Sequence, residues 1–287
     1  MSQPVPVAIV TGASRGAGRG IAIALGSHGC TVYVTGRSER SGDASLPGTI
    51  HETAAAVTAA GGRGVAVRVD HADDAQVEAL FKQVEGEQGR LDILVNNACA
   101  IHDELTAPGN FWEKPRKLDD MIDVGVRSSY IASWYAAPTM VKRKHGLMIF
   151  TSASGAVHYV YGPAYGAHKA SMDKMAADMA IDLKEHNVAA LSIWMGALLT
   201  DRLKMVIASN PKKYGHLEGH TETPEFTGHV IWALYNDPEL MAMSGKALIA
   251  AEMAVKYGIR DVDGRQPPSC RDMHKVEPHI QYPNIIR

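Results

Sequence analysis

Cysteine is almost missing: the 287-residue chain has three, Cys30, Cys99 and Cys270, widely separated and odd in number. That excludes a disulfide framework or a four-cysteine zinc site, and it predicts a reducing compartment. Long apolar runs are missing as well. None approaches the ~20 residues that span a bilayer, and Met1-Ser2-Gln3-Pro4 lacks the charged-then-apolar start of a secretory leader. The expectation is a cytoplasmic protein with no membrane partner. Neither sign of charge dominates, with 29 Lys+Arg against 31 Asp+Glu and a net charge of −2. No basic field invites nucleic acid. Thirteen histidines include no pair at convincing ligand spacing, so no metal is expected. What remains is a chain with 46% hydrophobic and 21% charged residues, too apolar for disorder and long enough for one substantial core.

Short apolar runs alternate with longer segments of helical period. Val5–Val10, Thr31–Val34, Gly64–Val69, Leu91–Val95, Leu147–Phe150, Val188–Ile193 and Ala247–Ile249 read as about seven strands. Helical patterns lie near 18–28, 50–60, 73–88, 117–144, 163–186 and 224–236. Strands without polar alternation, separated by helices, predict an α/β fold: a doubly wound parallel sheet of Rossmann type, covered on both faces. One domain is expected over 1–257. Residues 36–49 and 100–116 read as long loops, 197–222 as a substrate loop able to act as a lid, and 258–287, with four prolines, as an extended tail.

Directly after the first strand comes Thr11-Gly12-Ala13-Ser14-Arg15-Gly16-Ala17-Gly18, leading into a helix. Glycines let the backbone approach a pyrophosphate, whose charge is met by free N–H groups at the helix start. The spacing is Gly-x-x-x-Gly-x-Gly, not the familiar Gly-x-Gly-x-x-Gly. The second strand ends in Thr35-Gly36-Arg37-Ser38, with no acid to accept from a ribose 2′-hydroxyl. Arg37 and Arg15 suit a 2′-phosphate instead, so NADP(H) is favoured over NAD(H).

Ser152 follows the fifth strand, and Tyr165 and Lys169 stand four apart on the next helix, where they share one face. Lowering a phenol from its ordinary value near 10 to about 7 takes roughly 4 kcal/mol. One cation at ~4 Å supplies about that at an effective dielectric of 20. With Lys169 as its electrostatic partner and an oxidised nicotinamide ring beside it, Tyr165 is therefore a candidate acid/base, and Ser152 the group that holds the substrate oxygen. His158, Tyr159, Tyr161 and Trp112 are candidates for an apolar cleft, and Met172, Met175, Met179 and Leu183 for core or subunit contact.

The glycine run, Asn96-Asn97-Ala98, Ser152 and Tyr165-x-x-x-Lys169 together resemble the short-chain dehydrogenase/reductase superfamily over roughly residues 5–250. Phe111-Trp112-Glu113, Val124-Gly125, Pro163-x-Tyr165-Gly166, Pro224–Gly228 and the run from Tyr257 to Arg265 resemble one subfamily within it. That subfamily's hydrophobic C-terminal extension has no counterpart here. The resemblance implies hydride transfer between nicotinamide and a small carbonyl or secondary alcohol. It also implies cofactor contacts from Gly12, Ser14, Arg15, Gly16, Gly18, Arg37, Ser38, Asp70, Asn97, Ala98, Tyr165, Lys169, Gly196 and Thr200, with Asn96 shaping the pocket. A homodimer or homotetramer through the helices near 117–144 and 163–186 is expected on the same ground. Two departures stand out: Met195 where a proline is usual, and Gly125 where the superfamily commonly has an asparagine that holds a relay water near the lysine. The competing reading is a non-catalytic dinucleotide-binding sensor or scaffold that keeps the fold for binding alone.

Overall fold

The apolar runs pair in register as parallel strands of one seven-stranded sheet. In the computed structural model, which describes residues 4–262, 264–282 and 284–286 and only the backbone at Lys213, His216 and Glu218, β1 is Val7–Val10 and β2 Thr31–Gly36. Next come β3 (Arg63–Arg68), β4 (Ile93–Asn96), β5 (Gly146–Ser152), β6 (Val188–Trp194) and β7 (Ala247–Ile249). The order across the sheet is β3-β2-β1-β4-β5-β6-β7. Val10 of β1 lies opposite Val34 of β2 on one side and Val95 of β4 on the other. Strand order therefore reverses at β1, which opens a crevice at the carboxyl ends of β1 and β4. Asp263, Pro283 and Arg287 of the C-terminal segment, and Met1 to Gln3, lie outside the described residues.

Side chains alternate across a strand, so each apolar run feeds two cores. Ala8, Val10, Ile93, Val95, Leu147 and Ile149 face α1 (Gly16–Ser27) and the helix Phe226–Tyr235. Val7, Ile9, Leu94, Met148 and Phe150 face α3 (Asp74–Gln88), α4 (Ser128–Arg143) and α5 (Pro163–Leu183). Between them α2 (Ile50–Ala59) starts with a reciprocal cap, in which Glu52 N–H donates to Thr49 Oγ1 at 3.0 Å and Thr49 N–H to Glu52 Oε2 at 3.0 Å.

The helix expected over 117–144 is divided. A 3₁₀ turn (Arg116–Asp119) and a π-helical turn (Met121–Arg127) precede α4. The extra residue per turn falls where Gly125 has no Cβ and where serines bond back along the helix. Ser129 Oγ donates to Gly125 O at 2.6 Å and Ser133 Oγ to Ser129 O at 2.8 Å. The C-terminal segment carries one short helix, Cys270–His274, capped by Ser269. Cys270 packs with Trp194, Ile249 and Ala251, and Thr223 N–H donates to the buried Asp261 at 2.8 Å.

One buried charge fastens the amino ends of the strands. The Asp92 carboxylate, fully enclosed, accepts from Arg90 Nε and Nη2 (both 2.8 Å), Arg143 Nη1 (3.0 Å) and the Val7 N–H (2.8 Å). Burial alone would raise its pKa, but these donors outweigh burial and hold it below the usual carboxylate value. Such a group contributes stability above its unfolded pKa, and that contribution is lost as pH falls through the lower folded value. Asp92→Ala is expected to cost about 3–5 kcal/mol in denaturant unfolding, because two cations lose their partner inside the protein. The variant should also lack the part of the parent's acid lability that comes from protonating this group.

Candidate functional site

The glycine turn is held by a stitch between β1 and β4. Thr11 Oγ1 accepts from the Asn97 and Ala98 N–H groups at 2.8 and 2.9 Å. The Asn97 amide in turn donates to Thr11 O at 2.8 Å and Gly12 O at 3.2 Å. Asn97 and Ala98 thus act on the cradle itself, by shaping its backbone. Gly12 has φ +65, and a Cβ there would stand 2.8 Å from Ala98 Cα. At Gly18 a Cβ would meet the Asn97 amide at 2.5 Å. Helix α1 has no side-chain cap and no acid in its first turn, so its N–H groups and dipole offer an anion site. Ser14 is buried beside the turn, and Gly16 lies within van der Waals range of Thr200, where a Cβ would stand 3.7 Å from Cγ2.

At the end of β2 the charges are positive. Arg15 Nη2 donates to Ser38 Oγ at 2.9 Å and Gly48 O at 2.8 Å, and Nε to Pro47 O at 3.1 Å. The guanidinium is therefore fixed in place across the 36–49 loop. Burial lowers its pKa, and Arg37 and Arg202 push it further in the same direction. Three cations thus converge on the mouth of the glycine turn. The Arg37 side chain, 66% exposed, reaches Asp70 at only 3.9 Å, a loose pair that leaves its fork open.

On the other side of the crevice, β5 and α5 exchange hydrogen bonds. Lys169 Nζ donates to Thr151 O at 3.2 Å, and Ser152 Oγ donates to Lys169 O at 3.1 Å. The Lys169 ammonium lies 5.6 Å from the centre of the Tyr165 ring. Burial pushes the Tyr165 phenol above its ordinary value, and Tyr161 and Cys99 add to the rise. Burial pushes Lys169 below its own, against the pull of Cys99 and Asp173. Desolvation thus works against both ions of the pair. Ser152 is 0% exposed and sits under the helix, close enough to Asp173 to hydrogen-bond it. Period-two counting along β5 carries the signal: Met148, Phe150 and Ser152 share the face that packs on α5.

Three further groups had no motif to announce them. Ser154 stands two residues on, in a turn whose next residue, Gly155, lies directly against the Tyr165 ring; its hydroxyl is 3.0 Å from His158 Nε2. His168 is buried between Tyr165 and Lys169 in sequence, with Nδ1 3.5 Å from Cys99 Sγ. Glu222 is 1% exposed and accepts from Thr227 Oγ1 at 3.3 Å, and burial pushes its pKa up to about 8. Its strand residues pair with Ala197–Leu198, which holds the segment from Gly196 to Thr200 in shape. Met195 packs on the core there, and its N–H donates to Ser152 O at 3.2 Å.

A groove of about 280 Å³ opens beside Tyr165, lined by Leu105, Phe111, Leu118, Tyr159 and Tyr161 among others. The Tyr161 ring meets the Tyr165 ring edge-on at 5.2 Å, and its backbone is left-handed at φ +60. Trp112, the fourth aromatic candidate, is exposed. The expected lid contains the helix Asp201–Ser209, capped by Thr200, and Arg202 of that helix binds the carboxylate of Asp103 in the 100–116 loop. His274, from the C-terminal helix, places its ring 5.4 Å from that of His158.

The short chain dehydrogenase family profile matches residues 6–210. The human protein "Dehydrogenase/reductase SDR family member 1" is 39% identical over 285 residues, 96% of this chain and 88% of the human one. The Staphylococcus aureus "3-oxoacyl-[acyl-carrier-protein] reductase FabG" is 30% identical over 198 residues, 68% of this chain and 75% of the other. Among solved structures, a putative dehydrogenase from Xanthomonas campestris superposes with a TM-score of 0.76 at 26% identity, covering 91% of this chain and 92% of its own. Among the described residues, no helix is long and apolar enough to cross a membrane.

Gly12→Ala tests the cradle without touching a charge. The added methyl meets Ala98 backbone at 2.8 Å in a conformation that side chains avoid. NADPH binding, followed by nicotinamide fluorescence, is expected to weaken at least ~10-fold, equivalent to about 1.4 kcal/mol.

Proposed function

Because the chain belongs to the short chain dehydrogenase family, whose members work with nicotinamide cofactors on small molecules, we propose that it is an NADP(H)-dependent oxidoreductase acting on a carbonyl/alcohol pair. The bound cofactor supplies or accepts the hydride. Gly12, Ser14, Gly16 and Gly18 with the α1 N-terminus hold the pyrophosphate, and Asp70 the adenine. Arg15, Arg37 and Ser38 hold a 2′-phosphate, while Gly196 and Thr200 meet the nicotinamide amide. The observation that carries the reading is the Tyr165–Lys169 pair on α5, at the same sheet edge as an arginine-rimmed glycine turn.

Tyr165 donates its phenol proton to the substrate oxygen in reduction and takes one back in oxidation. Lys169, together with an oxidised nicotinamide ring, favours the phenolate. For the oxygen-holding group two serines compete. Spacing favours Ser152, but it is fully buried and its hydroxyl donates to the Lys169 carbonyl; Ser154, next to Gly155 and so beside the Tyr165 ring, is our choice. Exposed Tyr130 and Trp134 on α4 and Ile181 on α5 support an interface between two copies of the chain on these helices.

Tyr165→Phe is expected to lower turnover at least ~100-fold, the low end for a general acid/base. NADPH consumption over a panel of ketones and aldehydes measures it, and parent-like turnover in the variant rejects the assignment. Ser154→Ala should lower kcat/KM, whereas Ser152→Ala should lower thermal stability first. Since burial raises the phenol, reduction needs no acid pH: its rate should stay level from about pH 6 to about pH 9, while alcohol oxidation climbs over the same range. Arg37→Ala should narrow the affinity ratio of NADPH to NADH by ~10-fold, one charge-assisted contact's worth. Equal affinities in the parent protein would refute the NADP(H) preference.

A further inference from the structure

One short stretch of chain touches both ends of the crevice assigned above to the cofactor. A Cβ at Gly196 would stand 2.9 Å from Glu222 Oε2 and 3.3 Å from its Cδ, with Glu222 Cγ next at 3.8 Å. The Glu222 side chain, 1% exposed, thus lies behind the Gly196 backbone, in the space a side chain there would need. Its other carboxyl oxygen, Oε1, accepts from Thr227 Oγ1 at 3.3 Å. Thr227 is fully buried on the helix Phe226–Tyr235. That helix packs on α1: a Cβ at Gly228 would stand 2.6 Å from Ala24 Cβ and 2.9 Å from Ile21 Cα. The Pro224 backbone presses on α1 as well, 2.1 Å from where a Cβ at Gly20 would stand. On the strand side, Leu199 N–H donates to Glu222 O at 2.9 Å, and Thr223 N–H donates to Asp261 at 2.8 Å.

We propose that Glu222 is a positioning residue for the cofactor: its carboxyl links the segment 196–200, at the nicotinamide end, to the helix packed on α1, at the pyrophosphate end, and so sets the distance between the two. A dinucleotide gripped at both ends gains from the second grip only when the spacing matches. A segment already ordered also spares the ligand the cost of ordering it on binding. Burial pushes the Glu222 pKa up to about 8, and Asp261 adds to the rise. Below that pH the group is an uncharged acid, which a glutamine amide matches in size and in hydrogen-bonding atoms. The Gly196 backbone is not left-handed, so Glu222, and not backbone strain, is what opposes a side chain at 196.

This role rests on the cofactor reading given above, and two ligands separate one from the other. NADP⁺ spans the crevice, whereas 2′,5′-ADP carries only the adenosine half with its phosphates; calorimetry measures both. In Glu222→Ala the NADP⁺ affinity is expected to fall at least ~10-fold while 2′,5′-ADP stays within about twofold. Glu222→Gln should keep NADP⁺ within about threefold of the parent. Gly196→Ala should weaken NADP⁺ selectively, because its methyl meets the Glu222 carboxyl. Gly196→Ala/Glu222→Ala should bind NADP⁺ more tightly than Gly196→Ala alone, since the methyl enters the vacated space. Unchanged NADP⁺ binding in Glu222→Ala, equal loss of both ligands, no rescue by Glu222→Gln, or full additivity in the double variant overturns the proposal. In each of those cases a parent that binds both ligands leaves the cofactor reading intact. A parent that binds neither ligand rejects that reading, and the role of Glu222 falls with it. Should Glu222→Ala not fold, Gly196→Ala is compared with Gly196→Ala/Glu222→Asp, whose carboxyl stands one methylene further back: recovery of NADP⁺ affinity supports the proposal, and no recovery overturns it.

Discussion

A two-way exchange of hydrogen bonds between the end of β5 and the middle of α5 is the constraint on which the site depends. Lys169 gives a proton to the strand at Thr151, and the strand returns one from Ser152 to the helix at Lys169. Because both bonds are buried, neither end can slide without leaving a donor unmet, which costs about 1–3 kcal/mol. The pair therefore fixes how deep α5 sits on the sheet. That depth places Tyr165, one turn earlier, against Gly155 and beside the groove. Asp173, one turn later, receives the Trp194 indole at 2.9 Å and ties the same helix to β6. Ser152 matters to the site in this way: it anchors the helix that carries Tyr165 and Lys169.

The cofactor half follows from topology. Strand order reverses at β1, so the loops after β1 and β4 part around a crevice, and the Thr11–Asn97 stitch holds that crevice at a fixed width. Arg15 at its mouth is fixed by Ser38, Pro47 and Gly48, with Arg37 and Arg202 near enough to act on its charge. Glu222 and the two-residue strand pair brace the opposite wall, so both walls of the crevice are braced by side-chain bonds.

Much of this was legible in the sequence. Unbroken apolar runs spaced by helical periods gave a parallel, doubly wound sheet, because strands buried on both faces have no room for polar alternation. The glycine turn and the four-residue spacing of Tyr165 and Lys169 could be read because each lies within one short stretch of chain. What escaped depends on contacts across the fold. The burial of Ser152 comes from which pleat faces α5. Ser154 owes its position to a turn, and Glu222 and His168 lie against glycines 26 and 43 residues away, Gly196 and Gly125. The division of the 117–144 helix was half visible: Gly125 marked the place, but the π-helical turn needed the α5 side chain that occupies the space.

Gly125 and His168 share one volume, and this has an evolutionary consequence. A lineage cannot enlarge position 125 while the imidazole stays without driving two groups into overlap, nor shrink position 168 first without hollowing the helix contact. Overpacking and cavities each cost on the order of 1–3 kcal/mol or more, a large part of a stability margin near 5–15. A change at either position therefore has to be accommodated at the other.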